Sequence, residues 1–367
     1  MNPSKKIALV HDWLVGMRGG EKVLEVLCEL FPEATLFTLV HRKGSCSPLI
    51  ERMNIRTSFL QHLPLGQSHY QHYLPIFPLA ARSLDLTGFD VVISSSHAAA
   101  KGVHVCNNSC HICYCHTPMR YIWDQYEQYF GPGRSSIVTR MAMKIFTPFL
   151  RKWDEATAKG VHYFIANSCN VQQRIERIYG KGAVVIYPPV DVERFTLLKK
   201  DERYYLIVSA LVPYKRIDIA VEAFNRLGKR LVIVGSGGEE QKLKTMAKQN
   251  IEFVGWASDD VVRKYYEGCS ALIFPGEEDF GIVPVEAMAC GKPVIAFGKG
   301  GVLETVIDGR TGMFFHEQAG GSIEQAVRKF ETMAFDAGTI REHAMKFRKE
   351  RCKEELKRYI ASVIEPA

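Results

Sequence analysis

The 367-residue sequence lacks any apolar run close to the roughly 18 residues that a membrane-spanning helix requires. Its first apolar run, Ile7–Val10, is too short for the hydrophobic region of a secretory signal peptide. The chain does not lack apolar residues, because 47% of it is hydrophobic and 24% is charged. That composition excludes disorder as the main state and suits two buried cores. We therefore expect a cytoplasmic protein of two domains.

Acidic residues are scarce in the first half of the chain. Residues 1–190 contain 20 Lys and Arg against 13 Asp and Glu, whereas residues 191–367 contain 27 of each. The net charge of +7 therefore belongs to the first half. A basic half can face phosphate groups or an anionic membrane surface, although chance scatter also gives such an imbalance. No nucleic-acid-binding motif accompanies the charge, so we expect no nucleic acid partner.

Ten cysteines stand in this long chain, where free thiols are expected rather than a disulfide framework. Five residues have a spacing that is superficially typical of metal ligands: Cys106, Cys110, Cys113, Cys115 and His116. The alternating pattern of residues 111–116 favours a buried strand in which small thiols are ordinary core residues. We predict no metal site.

Short apolar segments followed by polar or small residues recur through the first half and predict buried parallel strands. These strands are expected at residues 6–10, 89–93, 111–115 and 163–166. A loop containing Gly16, Gly19 and Gly20 joins the first strand to the first helix. This strand, loop and helix form the opening unit of a doubly wound sheet.

The same alternation restarts after a proline-containing segment, residues 180–203, which we interpret as an interdomain linker. Residues 322–364 are predicted to be helical throughout. The predicted fold is α/β, with two Rossmann-like domains whose parallel sheets face a central cleft. Its expected parts are an N-terminal domain at residues 1–188, a C-terminal domain at residues 189–345, and a helix at residues 346–367 that packs back on the first domain.

The segment from residue 274 to 295 contains the strongest chemical signal. A strand ends at Phe274 and a helix starts near Pro284, so backbone N–H groups lie at a helix N-terminus, where oxyanions or sugar hydroxyls bind. Those N–H groups belong to Phe280, Gly281 and Ile282. Glu278 and Glu286 can accept paired hydrogen bonds from vicinal hydroxyls of a sugar. Alternatively, both carboxylates merely offset the helix dipole.

The stretch Glu278-Asp-Phe-Gly-Ile-Val-Pro-Val-Glu286 resembles the E-x-F-G-x-x-x-x-E motif of family 4 glycosyltransferases. Segments 286–295, 300–304 and 308–312 are similar to the donor domain of the same family, and the likeness covers nearly the whole chain. The resemblance implies the GT-B fold, a nucleotide-sugar donor and retention of the anomeric configuration. It also implies that no metal and no further cofactor takes part.

The resemblance assigns donor-side roles to individual residues. It implies that Glu286 binds the ribose of the donor, that Glu278 orients the donor sugar, and that Lys215 neutralises the diphosphate leaving group. The backbone amides of Phe280, Gly281 and Ile282 would contact the sugar and the diphosphate.

The sequence departs from the family at Ala210, where many members carry an arginine that assists the lysine. Either Arg216 substitutes for that arginine, or Lys215 and backbone amides hold the leaving group alone. Gly235 and Gly237 complete the predicted donor-binding set.

In the first half, His116 follows a predicted strand and should lie at the C-terminal edge of the sheet. It resembles the family's active-site histidine, which contacts the transferred sugar, although a satisfied core histidine is the alternative. Arg120 would lie near the same site and bind acceptor or phosphate. By resemblance, the loop with Gly19 and Gly20 closes over the donor sugar.

Within the family, the sequence is most similar to mannosyltransferases that build bacterial surface polysaccharides from GDP-mannose. That similarity implies a lipid-linked glycan acceptor at the cytoplasmic membrane face, in polysaccharide or lipopolysaccharide assembly. Residues 70–84 and the basic segment 134–153 are compatible with peripheral contact to an anionic membrane. Their apolar spacing fits burial in the core equally well.

Three other functions deserve comparison. A GT-B nucleotide-sugar epimerase would need no acceptor, and the paired Glu278 and Glu286 disfavour it. A nucleotide-sugar-binding protein without turnover would explain Ala210. A nicotinamide-dependent dehydrogenase is disfavoured because the glycines after residue 234 lack the full dinucleotide fingerprint.

Overall fold

The computed structural model describes residues 5–132, 135–197 and 201–364. The chain divides into two compact units: a first unit of Met1–Pro189 with Lys349–Ala367, and a second unit of Val190–Arg348. Each contains one parallel sheet covered by helices, as the sequence predicts for an α/β fold of two Rossmann-like domains.

The first unit contains a seven-stranded sheet of order β3-β2-β1-β4-β5-β6-β7, and all its strand pairs are parallel. Its strands are β1 Ile7–His11, β2 Thr35–Thr38, β3 Asn54–Thr57, β4 Val91–Ser96, β5 Cys110–Cys115, β6 Tyr163–Ala166 and β7 Ala183–Val185. The strand order reverses between β1 and β4. Ligands of open α/β sheets bind at the C-terminal edge beside such a reversal.

The second unit contains a six-stranded parallel sheet of order β10-β9-β8-β11-β12-β13. Its strands are β8 Tyr205–Val208, β9 Leu231–Val234, β10 Ile251–Gly255, β11 Ala271–Phe274, β12 Val294–Phe297 and β13 Gly312–Phe315. Here the order reverses between β8 and β11, so the loops after these two strands are the expected ligand-binding loops.

Helices cover both faces of each sheet. The helices of the first unit are α1 Gly19–Leu30, α2 Pro48–Glu51, α3 Phe77–Arg82, α4 Tyr126–Phe130, α5 Ile137–Ala158 and α6 Cys169–Tyr179. Those of the second unit are α7 Ile217–Leu227, α8 Glu240–Met246, α9 Asp259–Gly268, α10 Ile282–Ala289, α11 Val302–Thr305, α12 Gly320–Phe330 and α13 Ala337–Ala344, and α14 Lys349–Ile364 returns to the first unit. Short 3₁₀ helices span Phe59–His62, Tyr70–Ile76, Ala100–Gly102, Val192–Arg194, Pro213–Lys215 and Met345–Phe347.

The last helix, α14, packs into the core of the first unit. Its buried side chains recur at helical spacing and join the core cluster beneath β1, β4 and α1: Cys352, Leu356, Ile360 and Ile364. Glu29 on α1 accepts hydrogen bonds from the Nζ atoms of Lys349 (2.6 Å) and Lys353 (2.8 Å). The apolar stripe is therefore aligned by an ion-pair cluster at its edge.

Two sequence expectations about helices are wrong. Residues 322–364 are not one helical stretch, because Asp336 accepts the N–H of Thr339 (2.7 Å) and caps a new helix, α13. Gly19 and Gly20 do not precede the first helix but form its first turn. The Glu21 carboxylate accepts the N–H of Arg18 (2.9 Å), and that cap sets the start of α1 two residues earlier than the sequence suggests.

The segment interpreted as a linker, residues 180–203, is partly regular. It contains β7, the edge strand of the first sheet, and the 3₁₀ helix Val192–Arg194. Lys199 and Lys200 of its charged run lie outside the described residues, as does Arg134 at the start of the predicted basic helix. Cys113 and Cys115 are buried in β5, where the alternating pattern of residues 111–116 predicts a buried strand.

Candidate functional site

The candidate site of the first unit lies at the C-terminal edge of its sheet, where the strand order reverses. His11 ends β1, Ser95 lies near the end of β4, and His116 directly follows β5. The Ser95 hydroxyl is 3.1 Å from His11 Nδ1 and 2.8 Å from His116 Nε2. The predicted histidine thus belongs to a hydrogen-bonded group that spans three neighbouring strands.

Asp12 is a fully buried carboxylate beside this group, and it accepts four backbone N–H groups. The donors are His97 (2.7 Å), Ala98 (3.0 Å), Ala99 (2.6 Å) and Ala100 (2.7 Å). Its Oδ2 also lies 3.0 Å from Nδ1 of His97. Burial alone would raise the pKa of Asp12, but the neighbouring His97 and His11 lower it far below its usual range. Asp12 is therefore a permanent anion that holds the loop after β4 and the imidazole of His97.

Burial, together with the nearby His97 and His11, lowers the pKa of His116 to about 3. The ring is therefore neutral at physiological pH and can hydrogen-bond a sugar hydroxyl without adding a positive charge. A Cβ on Gly20 would lie 3.6 Å from His116 Nε2, so the first turn of α1 lies against the histidine. The structure thus brings Gly20 and His116 together, and Gly19 begins the same helix.

Glu21, in that first turn, is a second buried carboxylate. Its Oε1 lies 3.7 Å from His11 Nε2. Burial alone would raise the pKa of Glu21, but the interaction with His11 lowers it overall. Arg120 is half-buried in the turn after His116, where its carbonyl accepts the N–H of Gln125 (2.8 Å). The acceptor-binding role of Arg120 stays a prediction.

The candidate site of the second unit is built on the loops after β8 and β11. Lys215 ends the 3₁₀ helix after β8, and Glu278 lies in the loop after β11. Nζ of Lys215 and Oε1 of Glu278 form an ion pair, with both side chains largely shielded from solvent. Gly301 donates its N–H to the Glu278 carbonyl (2.8 Å), which fixes the backbone of the loop. Two of the three residues predicted to be catalytic therefore touch.

Glu286 lies in the second turn of α10, where Tyr266 of α9 fixes its carboxylate. The phenol donates a hydrogen bond of 3.0 Å to Glu286 Oε2. Burial, with the nearby Glu286 carboxylate, raises the pKa of Tyr266 well above its ordinary value. The phenol therefore stays a hydrogen-bond donor, and Glu286 is held in one orientation from its buried side.

The predicted amides lie at the start of α10. Gly281 caps the helix with φ of 92°, a left-handed conformation that favours glycine, and Ile282 is its first residue. The N–H groups of a first helical turn have no partner within the helix and can bind an anion. Phe280 is buried, and its ring packs against Phe347 with centroids 5.6 Å apart.

Gly235 and Gly237 have a packing role that the sequence does not reveal. A Cβ would lie 1.9 Å from the Ser209 carbonyl oxygen at Gly235, and 2.4 Å from the Leu211 carbonyl oxygen at Gly237. The loop after β9 therefore packs backbone to backbone on the loop after β8, which leads to Lys215. Larger residues would displace the loops.

Arg216, the predicted substitute for the missing family arginine, has partners on its own side of the site. Its Nε donates to Asp218 Oδ1 (3.2 Å), and Nη1 lies 3.5 Å from Gln318 Oε1. Ala210 is exposed. These two contacts use Nε and Nη1, so Nη2 has no part in them, and the role of Arg216 on the diphosphate stays a prediction.

Sequence reasoning missed His11, Asp12, Glu21 and His97. The sequence could have indicated the first two, because His11 and Asp12 come directly after the apolar residues of β1, just as His116 comes directly after β5. No group of three or more potential metal ligands occurs in residues 5–132, 135–197 and 201–364. None of the helices described there is long and apolar enough to cross a membrane.

Two protein-family models match consecutive parts of the chain. The model described as Glycosyltransferase Family 4 matches residues 17–194, and the model described as Glycosyl transferases group 1 matches residues 190–351. Together they cover the candidate site of the second unit and most of that of the first, whose His11 and Asp12 lie before the first match begins.

Individual relatives match over shorter stretches. An uncharacterized glycosyltransferase of Methanocaldococcus jannaschii is 32% identical over 43% of this chain and 46% of its own length. A GDP-mannose-dependent alpha-(1-6)-phosphatidylinositol monomannoside mannosyltransferase of Mycolicibacterium smegmatis is 30% identical over 38% of this chain and 45% of its own length. The chain spans less than half the length of the first curated relatives it matches.

Likeness to solved structures extends over almost the entire chain. The Anabaena protein HepE, solved in complex with UDP and glucose, superposes with a TM-score of 0.71, covering 98% of this chain and 100% of that chain. The sequence identity is 16%, so the likeness concerns the fold.

Proposed function

The chain belongs to the family 4, group 1 glycosyltransferases and has their GT-B fold, and from that premise we propose that it transfers a hexose from a nucleotide-sugar donor to an acceptor hydroxyl. The observation that carries this proposal is the contact between Lys215 and Glu278 at the strand reversal of the second sheet. A cation for a leaving diphosphate and a carboxylate for sugar hydroxyls stand side by side there. Glu286, fixed by Tyr266, supplies a carboxylate for the ribose.

We propose mannose, from GDP-mannose, as the transferred sugar. The resemblance of the sequence to mannosyltransferases supports this choice, as does the relative named GDP-mannose-dependent. The acceptor proposed is a lipid-linked glycan in polysaccharide assembly, with the enzyme acting in the cytoplasm or at the inner membrane face.

The proposed reaction retains the anomeric configuration. The bond between the sugar C1 and the diphosphate oxygen breaks, and its electron pair leaves with the diphosphate beside Lys215. The acceptor oxygen bonds to C1 on the same face, and its proton passes to the departing phosphate oxygen. Glu278 orients the sugar, and the neutral His116 contributes a hydrogen-bonding nitrogen to it. No side chain serves as a nucleophile.

The first test is calorimetric binding of GDP, UDP, ADP and GDP-mannose to the wild type and to Glu286→Ala. Glu240→Ala is the matched control, because Glu240 lies on the surface helix α8 and forms an ion pair with Lys244 (2.8 Å). We expect selective binding of GDP and GDP-mannose that Glu286→Ala abolishes and the control retains. Preference for UDP would rule out GDP-mannose as the donor, and failure to bind any nucleotide would overturn the transferase proposal.

A second candidate is a nucleotide-sugar-binding protein without turnover. Ala210, together with the engagement of Arg216 by Asp218 and Gln318, favours it. Incubation of the donor with a panel of glycan acceptors separates the candidates. Glycosylated product supports the transferase, binding without product supports the second candidate, and a rearranged free sugar without acceptor would indicate an epimerase.

A further inference from the structure

Helix α5 exposes an apolar face on the first unit. We define the α5 apolar face as five side chains that are 55–78% exposed: Ile137, Val138, Met141, Ile145 and Phe149. Four of them follow one another at intervals of four residues, so they form a continuous stripe over three turns. A surface helix ordinarily directs polar residues outward, and a contiguous exposed apolar patch indicates a binding surface.

The other side of the same helix is buried and locked in place. Asp154 lies 2.9 Å from the Lys101 ammonium, and it accepts hydrogen bonds from Trp123 Nε1 (2.9 Å) and the Tyr179 hydroxyl (2.8 Å). Met143 and Leu150 are buried on this side as well. The helix therefore cannot rotate its apolar stripe into the core without breaking a buried ion pair. Of the two interpretations that the sequence left open for this segment, the structure excludes burial for these five residues.

The exposed charge of α5 is mainly positive because, of its two acidic residues, Asp154 is buried and Glu155, beyond Phe149, is exposed. From residue 137 to residue 153 the sequence contains four basic residues and no acidic residue. Lys144 and Lys152 are exposed. Arg151 is anchored by the hydrogen bond from its Nε to the Ile122 carbonyl (2.6 Å). Exposed lysines beside an apolar stripe are the complement of anionic lipid headgroups above acyl chains.

We propose that the outward face of α5 docks the protein on an anionic lipid bilayer. The α5 apolar face enters the boundary between headgroups and acyl chains, while Lys144 and Lys152 contact lipid phosphates. A second copy of the chain is a poorer occupant, because a symmetric contact would bring the lysines of both copies together. The docking requires neither donor nor acceptor, so it is independent of which sugar is transferred.

The test is flotation of the full-length protein with vesicles of pure phosphatidylcholine, or of phosphatidylcholine mixed equally with phosphatidylglycerol. We expect binding to the anionic vesicles and little binding to the neutral ones. Replacing Met141, Ile145 and Phe149 together by Gln should lower the vesicle partition coefficient at least about tenfold. The Lys144→Gln/Lys152→Gln variant should lower it on the order of tenfold, and only for anionic vesicles.

The matched control is Leu303→Gln, which removes an exposed leucine from α11 of the second unit and should leave binding unchanged. Wild-type protein that ignores both kinds of vesicle, or a triple variant that floats like the wild type, would overturn the proposal. The proposal would also be overturned if light scattering showed a dimeric wild type and a monomeric triple variant while neither protein bound vesicles. GDP calorimetry on the same variants keeps this outcome separate from failure of the transferase proposal, and the lysine variant tests the surface if the triple variant does not fold.

Discussion

Lys215 and Glu278 neutralise each other in the second unit, although the family resemblance implies that one serves the leaving diphosphate and the other the donor sugar. Both are largely shielded, with side-chain exposures of 19% and 14%. A donor that binds both competes with this ion pair for the ammonium and for the carboxylate. The diphosphate takes the ammonium, and the sugar hydroxyls take the carboxylate.

This ion pair predicts that a second substitution, at Glu278, partly restores the donor affinity that a substitution at Lys215 removes. Lys215→Ala leaves the Glu278 carboxylate without its cation beside the donor diphosphate, so GDP-mannose should bind on the order of 100-fold more weakly. Lys215→Ala/Glu278→Gln removes the repulsion and should recover about tenfold of that loss. Transfer should stay undetectable in both, because no cation stabilises the leaving group.

The measurement is calorimetric affinity followed by product formation. Lys299→Ala is the control, because Lys299 forms an ion pair (3.1 Å) with Glu277, the neighbour of Glu278, but its side chain is 63% exposed. Its effect on affinity should be below about threefold. A double variant that binds no better than Lys215→Ala would show that the unpaired Glu278 carboxylate does not repel the donor diphosphate.

Tyr266→Phe tests how Glu286 is oriented. Loss of the phenol removes the 3.0 Å hydrogen bond to Glu286 Oε2 and leaves that carboxylate freer to rotate. We expect GDP affinity to fall about tenfold, less than the loss in Glu286→Ala, with little change in the relative affinities for GDP and ADP, which share a ribose. Tyr265→Phe, one position away on α9, is the control, and equal effects of the two variants would contradict the prediction.

The sheets could be predicted because strands buried on both faces leave short apolar runs in the sequence. β1, β6 and β11 are of this kind. Four strands could not be found this way: β2, β3, β7 and β13. Asn54–Thr57 alternates between exposed and half-buried positions at the sheet edge, and β13 begins with Gly312, where a Cβ would lie 2.1 Å from the Val294 carbonyl oxygen.

Some residues of the candidate sites can likewise be predicted from the sequence, and others cannot. Lys215, Glu278 and Glu286 stand in segments whose spacing is distinctive, so the sequence points to them. Asp12 is different, because its function depends on four amides that lie at least 85 residues further along the chain. Only the position of β1 next to β4 brings them to its carboxylate.

Asp12 should be critical for the stability of the first unit. In Asp12→Asn, one of the two oxygens becomes an NH₂ group that faces N–H donors, so at least two amides lose their acceptor. We expect the free energy of unfolding to fall by on the order of 3 kcal/mol. Urea unfolding at neutral pH measures the loss, and Asp85→Asn, at an exposed carboxylate, should leave the free energy of unfolding nearly unchanged. A loss equally small in Asp12→Asn would contradict this account.

The buried histidines make stability depend on pH. Burial lowers the pKa of His111 and of His116 to about 3, against an ordinary value of 6.5. Between these values the unfolded chain binds protons that the native chain does not, so stability is lost as the pH falls below 6.5. At pH 5 each histidine should cost about 2 kcal/mol relative to pH 7. The depressed pKa values of Asp12 and Glu21 affect stability only below their ordinary values of 3.8 and 4.5, and therefore below the range from pH 7 to pH 5.

His111→Gln isolates this effect away from the candidate site. Glutamine cannot titrate, yet it can offer a polar group to the Ser94 hydroxyl, which lies 2.9 Å from His111 Nε2. The variant should lose about 2 kcal/mol of the wild-type difference between urea unfolding at pH 7 and pH 5. His104→Gln, at an exposed histidine, should keep the wild-type difference. If His111→Gln keeps it too, His111 takes up a proton in the folded chain, and its burial does not hold the ring neutral.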